Sequence, residues 1–298
     1  MSSNTISNTC ANCGKEGTDV TNTCNKCKEV MYCNAACKKK HRKKHKKECE
    51  KRLAELHDQK LFKQPPPLDD CSICFLRMPC VTQFQVYMSC CGKLLCRGCI
   101  HAVALRDGGV SLCPFCRTPA PTSDEEFVEG YMKRMELNDP LAIHNVGSYY
   151  DQGKNGFTQN YEKALELWHQ AGKLGYSEAY YNIGNAHRNG NGVERDNKRA
   201  KHYYELSAMQ GDVLARHNLG VQEYKEAGNK DRALKHFMIA AGGGNKDSLE
   251  NVRRIYKAGH ATKDDYNNAL RAYQEYVGEI KSKQRDEAAA YDPDWRYY

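Results

Sequence analysis

No cysteine follows Cys116, and no run of about eighteen apolar residues occurs anywhere in the 298 residues. The first absence means that residues 117–298 must be held by an ordinary apolar core, without disulfides or thiolate-bound metal. The second excludes a membrane-spanning helix. No basic, apolar and small-residue segment opens the chain, so the expected location is cytoplasmic or nuclear, not secreted. Acidic residues are scarce in one place only: residues 1–63 hold 15 Lys and Arg against 7 Asp and Glu.

What is present divides accordingly. All sixteen cysteines lie in the first 116 residues, and the length suits two or three compact units. Cys71-x-x-Cys74, Cys90-Cys91, Cys96-x-x-Cys99 and Cys113-Pro-Phe-Cys116 form four pairs. A Cys-x-x-Cys turn sets two sulfurs on one side of a backbone knuckle, near enough to share zinc at about 2.3 Å, and two such pairs complete a closed tetrahedron. In a chain with no secretory signal this pattern reads as metal, not as a disulfide framework. Eight thiols therefore imply two zinc ions that build a fold and activate no water. Spacing alone permits either sequential or interleaved pairing.

A second set precedes it: Cys10-x-x-Cys13, Cys24-x-x-Cys27, Cys33-x-x-x-Cys37 and His45-x-x-x-Cys49. The four-residue separations in the last two pairs stack both side chains on one face of a helix. Cys37, His41, His45 and Cys49 share that stripe, so His41 competes with His45, which completes the usual pair with Cys49. With fifteen thiolates (−15) and four zinc ions (+8) the formal charge of +8 falls to +1. The basic run from Lys38 to Lys47 is then read as the solvated outside of a zinc-bound helix. It has no interleaved aromatic for base stacking, and nucleic acid is not an expected partner.

These two sets resemble known fingers. Residues 10–49, with Tyr32 just ahead of Cys33, resemble a MYND finger, a protein-binding adaptor module. The resemblance implies one zinc on Cys10, Cys13, Cys33 and Cys37 and another on Cys24, Cys27, His45 and Cys49. Lys38 and Arg42 stand where that family's peptide-contacting Gln and Trp would be. Residues 71–117, with Ile73 inside the first pair, Pro114 inside the last and Arg117 after the final ligand, resemble a RING finger. That resemblance implies one zinc on Cys71, Cys74, Cys96 and Cys99 and another on Cys90, Cys91, Cys113 and Cys116.

It further implies that Ile73 and Pro114 contact a ubiquitin-conjugating enzyme. Arg117 would then bridge that enzyme and its thioester-linked ubiquitin, a role suited to a planar guanidinium. The activity expected from the resemblance is that of a RING-type ubiquitin-protein ligase, a transferase that orients another protein's thioester and has no nucleophile of its own. Two features depart from the family: all eight ligands are cysteine, with Lys93 near the place of a usual His, and no aromatic lies between Cys99 and Cys113, where Val103, Leu105 and Val110 are the nearest apolar residues. Cys80 lies outside every ligand set and reads as a structural or exposed thiol.

Between the fingers, residues 50–68 read as a charged helix stopped by Gln64-Pro-Pro-Pro67, a semi-rigid spacer. After them a period emerges. Ala164, Ala200, Ala233 and Ala269 are each followed four positions later by an aromatic, Trp168, Tyr204, Phe237 and Tyr273. Ala142, Ala179 and Ala215 each precede an apolar residue and a glycine, Gly147, Gly184 and Gly220. Small residues at fixed places let paired helices approach, and aromatics fill the space between pairs, as in a helical solenoid.

The stretch Gly190-x-Gly192-Val193-x-x-Asp196-x-x-Arg199-Ala200 resembles the Sel-one-like repeat, a relative of the tetratricopeptide repeat, over residues 138–280. The units run 138–174, 175–210, 211–243 and a degenerate 244–280, in which Ile280 stands where glycine is expected and the unit acts as an end cap. Ser123 with Glu126 reads as a capping box opening a helix toward Leu137, and residues 281–298 read as a frayed tail. The expected fold is two small zinc-stabilised modules followed by an all-α repeat solenoid. The repeats suit a protein substrate or peptide. A non-catalytic adaptor that bridges protein partners is the alternative to a ligase.

Overall fold

The computed structural model describes residues 8–66, 69–80, 84–108 and 112–296. It forms two compact units, Met1–Lys63 and Gln64–Tyr298.

In the first unit a short antiparallel pair, β1 (Asn22–Thr23) and β2 (Met31–Tyr32), leads into α1 (Ala35–Leu61). Asn34 caps the helix, its side chain accepting from Cys37 N at 2.9 Å. The stripe facing the finger buries His45 and Cys49, while Lys39, Lys40, Arg42, Lys43, Lys44, Lys46 and Lys47 are all exposed. The helix expected over 50–62 is therefore the continuation of the ligand-bearing helix. It stops just before Gln64, as steric pressure from the first proline requires.

The second unit opens on a hairpin, β3 (Gln85–Met88) with β4 (Lys93–Cys96), followed by α2 (Arg97–Arg106). Ser123 caps α3 (Asp124–Glu136), accepting from Glu126 N at 3.2 Å. The Glu126 carboxylate reaches back to Thr122 N, one residue earlier than a full capping box demands.

Four helix pairs follow: α4 (Pro140–Gln152) with α5 (Tyr161–Lys173), α6 (Ser177–Asn189) with α7 (Asn197–Met209), α8 (Val213–Lys225) with α9 (Lys230–Gly242), and α10 (Lys246–Lys257) with α11 (Lys263–Ile280). The core lies between paired helices, with Ala142, Ala164, Ala179, Ala200, Ala215 and Ala233 fully buried. A β-carbon on Gly184 would lie 2.6 Å from the Tyr204 ring. Gly147 and Gly220 stand in the same relation to Trp168 and Phe237 at 2.9 and 2.7 Å. The aromatic of each second helix is thus seated against bare backbone of the first, which explains the joint recurrence of glycine and aromatic. No helix among the described residues is long and apolar enough to cross a membrane.

The last pair departs from the repeat. Tyr273 is only half-buried, and Tyr276 takes the buried place, packed with Phe84 and Ile280. Ile280 is fully buried with Phe84 and Tyr276, and a further helix follows it, so the unit is not the end cap that the sequence suggests. Nor is the tail frayed: residues 283–291 form α12 (Lys283–Tyr291), which packs on α2 and is followed by a turn at Pro293–Trp295. Arg285 explains this order. It is 3% exposed, its guanidinium donates to Arg77 O, Ile280 O and Leu76 O at 2.8, 2.7 and 3.3 Å, and its backbone rests on Gly98. The proline segment is seated rather than free, since Pro66 lies against the Gly211 turn; Pro67 lies outside the described residues.

Gly184→Ala should force the Tyr204 ring and the α6 backbone apart and cost about 1–3 kcal/mol, read as a lower urea midpoint with unchanged slope. An unchanged midpoint would contradict the packing described. His236, fully buried, is pushed down to about 2 by burial and by the charges of Arg216, Arg232 and Lys201. Its folded value lies below the unfolded value of about 6.5, so the unfolded chain binds the extra proton and stability falls with falling pH. With zinc saturating, lowering pH from 7.5 to 6 should cost about 1 kcal/mol from this group, a slope that His236→Gln should flatten.

Candidate metal centres

Four of the five Cys-x-x-Cys knuckles are built by the same local turn. The amide after the second cysteine bonds to the carbonyl of the first: Gly14 to Cys10 at 2.9 Å, Lys28 to Cys24 at 3.1 Å, Phe75 to Cys71 at 2.9 Å and Arg117 to Cys113 at 2.9 Å. These four residues have φ of 74°, 61°, 54° and 64°. A non-glycine residue is disfavoured in that left-handed region, so three of the four turns carry a local cost that a ligand must offset. The fifth knuckle is different: Cys96 ends β4 and Cys99 sits on the first turn of α2, where helix geometry supplies the convergence.

The structure brings the sixteen predicted ligands into four sets: Cys10, Cys13, Cys33 and Cys37; Cys24, Cys27, His45 and Cys49; Cys71, Cys74, Cys96 and Cys99; and Cys90, Cys91, Cys113 and Cys116. Within each set all ligand atoms lie within 4.8 Å of one another. In both modules the pairs interleave, the choice that spacing left open. The sulfur–sulfur distances are 3.7 Å for Cys13 and Cys33, 3.7 Å for Cys24 and Cys49, 3.8 Å for Cys71 and Cys99, 3.9 Å for Cys74 and Cys96, and 3.9 Å for Cys91 and Cys113. A zinc tetrahedron with bonds of about 2.3 Å has edges of about 3.8 Å, whereas a disulfide would hold sulfurs at about 2.05 Å. The residues fit zinc. With four protein ligands each, the sites leave no coordination position for substrate.

In each cluster neighbouring donors favour ionisation of some sulfurs, while burial pushes up others, Cys33, Cys49 and Cys90 among them, which ionise only with a metal to bind them. Burial opposes ionisation of Cys10, but the backbone amides of Cys33, Cys13 and Asn12 bring its thiol down to about 6. The Thr118 hydroxyl, 3.1 Å away, does the same for Cys116, also to about 6. Arg285 Nη2 lies 3.8 Å from Cys74 Sγ, placing a buried cation beside a site whose four thiolates and one zinc would carry a net charge of −2. Sequence reading missed this residue because it lies far along the chain from the site it serves.

His41 is not a ligand. Its Nδ1 pairs with Tyr32 Oη at 3.2 Å and its ring stacks on His45, whose Nε2 is 3.3 Å from Cys27 Sγ. Nor is Lys38 free for a peptide, since its ammonium bonds Thr23 O and Asn25 Oδ1 at 2.6 and 2.7 Å and braces the finger.

In the second module Ile73 and Pro114 are half-buried, while Phe75 and Phe115 are 76% and 49% exposed. Arg117 bonds Asp107 at the end of α2 at 2.8 Å, and Arg106 and Arg117 together hold the Asp107 carboxyl down at about 2. Val103 is half-buried, Leu105 is 67% exposed and Val110 lies outside the described residues. Cys80 has its thiol pushed up by burial, and its amide donates to Tyr276 Oη at 2.7 Å.

Thiol modification of the native protein should release four zinc equivalents per chain, one for each cluster. His45→Ala should release about one fewer, and His41→Ala should release the full complement, as read with a colorimetric chelator.

Among known families, the MYND finger matches residues 10–49 and the Sel1 repeat matches 140–176 and 177–212. Neither match extends over 71–117. An uncharacterized protein of Neisseria meningitidis serogroup B is 28% identical over 171 residues, 56% of this chain and 33% of its own. The Arabidopsis thaliana protein described as ERAD-associated E3 ubiquitin-protein ligase component HRD3B is 32% identical over 97 residues, 32% of this chain and 15% of its own. The chain therefore spans a third or less of the length of these curated relatives. Of solved structures, a Sel1 repeat protein from Oxalobacter formigenes superposes with a TM-score of 0.47 at 26% identity, covering 61% of this chain and 71% of the other. The immunity protein Pa5087 from Pseudomonas aeruginosa gives a TM-score of 0.38 at 20% identity, covering 65% and 77%. By the family matches and the ligand geometry together, the chain carries a MYND zinc finger and two Sel1 repeats within a longer array of helix pairs.

Proposed function

We propose that this protein is a non-catalytic scaffold that bridges protein partners through its zinc fingers and its repeats. The observation that carries this reading is the closure of all four metal clusters: each provides four protein ligands, so the metals shape surfaces and do no chemistry on a substrate. The matched families point the same way, since MYND fingers and Sel1 repeats generally mediate protein contacts. Stacked helix pairs present a broad surface suited to a polypeptide.

A second reading, a RING-type ubiquitin ligase, is favoured by a specific feature. The interleaved module at 71–117 leaves Phe75 and Phe115 exposed beside Ile73 and Pro114, and Arg117 stands directly after the last ligand on a left-handed turn. Partners would then be a ubiquitin-conjugating enzyme and ubiquitin, with the repeats holding the substrate. The likeness to HRD3B, named as a ligase component, concerns a third of this chain and supports membership of a ligase assembly rather than catalysis by this chain.

Ubiquitin discharge from a panel of loaded conjugating enzymes separates the two. A scaffold should leave the discharge rate unchanged, while crosslinking of the full-length protein in cells should map different partners to α1 and to the repeats. Stimulated discharge that Arg117→Ala abolishes while zinc content stays intact would transfer the conclusion to the ligase.

A further inference from the structure

The solvent side of α1 carries cations that the chain itself does not neutralise. Lys39, Lys40, Arg42, Lys43, Lys44, Lys46 and Lys47 are exposed, and no acidic residue stands among them. Lys46 has Glu50 at 4.0 Å; among the described residues the other six are in no ion pair. Elsewhere in the chain exposed helix cations are matched one turn away, as Lys51 is by Glu55, Lys133 by Glu129 and Lys283 by Glu287. On α1 the neighbours one turn away are like charges: Lys39 and Lys43, Lys40 and Lys44, Lys43 and Lys47. Such pairs destabilise a helix. A face that served solubility alone would gain from mixed charge, whereas this one retains a repulsion that a polyanion relieves. With seven thiolates (−7) and two zinc ions (+4), the 15 cations and 7 acids of residues 1–63 still leave a charge of +5.

The spread of these cations around the helix narrows the choice of partner. At about 100° per residue they cover about 200° of the circumference. Arg42 and Lys46 lie along one edge, Lys39, Lys43 and Lys47 along the crest, and Lys40 and Lys44 along the other edge. The remaining side holds Cys37, His45 and Cys49 in the metal clusters and His41 on Tyr32. A flat anionic surface, such as a membrane or an acidic protein face, meets the crest or one edge. Charges on both edges suit a partner with walls on both sides.

The major groove of B-form DNA has that shape. It is about 12 Å wide and flanked by phosphates, and a helix with its side chains is about 10–12 Å across. The major groove of A-form RNA is too narrow. The lack of interleaved aromatics counts against single strands, whose bases are bound by stacking, and has no bearing on a duplex groove. We propose that α1 binds double-stranded DNA, with Lys39–Lys47 lying in the major groove and the two edges contacting phosphates on opposite walls. Affinity then comes from charge and helix geometry, largely independent of base sequence. This activity is separate from the protein scaffold above and does not depend on it.

The test titrates the zinc-loaded full chain against a fluorescein-labelled DNA duplex of about 20 bp and mixed sequence, by anisotropy at 50–200 mM KCl. About five phosphate contacts give a slope near −4.5 in a plot of log affinity against log salt, an affinity loss of about 500-fold over that range. The double variants Lys40→Gln with Lys44→Gln, and Arg42→Gln with Lys46→Gln, remove the two edges separately. Each should reduce the slope by about 1.8, while zinc content and helical circular dichroism stay at wild-type values. A change in only one of the two variants would mean a flat contact and overturn the groove placement, as would equal affinity for an RNA duplex of the same length. No binding to the DNA duplex at 50 mM KCl, with or without retention on anionic phospholipid vesicles, would overturn the proposal, and so would a slope that neither variant alters.

Discussion

Three or four thiolates held within 4.8 Å of one another repel strongly, and a dication at their centre turns that repulsion into attraction. Everything in the first 117 residues follows from this constraint. Each module has one two-stranded hairpin, the first of only two residues per strand, and a small apolar core built on residues such as Val20 and Tyr32 in one and Met78 and Leu95 in the other. Left-handed Lys28, Phe75 and Arg117 are tolerated because metal binding, worth roughly 10 kcal/mol or more in small zinc domains, greatly exceeds about 1–2 kcal/mol of backbone strain at each.

The second unit uses the metal-built module as a structural partner of the repeats. Tyr87 donates to Asp139 at 2.7 Å at the entrance to α4, and Arg134 pairs with the same carboxylate at 2.9 Å. At the other end Arg77 pairs with Glu279 at 2.6 Å and lies over the Tyr276 ring, while Arg285 ties α12 to the loop after Cys74. An isolated solenoid gains stability from nearest neighbours alone. Here the first and last pairs are each held by the same module, so contacts that span about two hundred positions add to the local ones.

Much of this was legible in the residues. Ligand pairs and the alanine, glycine and aromatic period are local patterns, and the helices, caps and clusters fall where they point. Interleaving was not legible in the spacing, which is the same for either connection; the family resemblances implied it, and the clusters agree with them. The roles of Tyr276, Ile280 and α12 were hidden for a different reason. The repeat pattern places Tyr273 and a glycine at those positions, and the departures have meaning only beside Phe84 and Gly98, which lie far away in sequence.

The position of Arg285 has a consequence for biosynthesis. The loop and helix that it covers leave the ribosome well before α12 exists, and at ordinary elongation rates the delay is on the order of ten to thirty seconds. During that interval the thiolates of Cys74 and Cys96 lack their cationic neighbour, and Gly98 presents bare helix backbone to solvent. The module is thus open to metal on that side before α12 is made, and a chain terminated before Lys283 would be born with its zinc module permanently uncovered there.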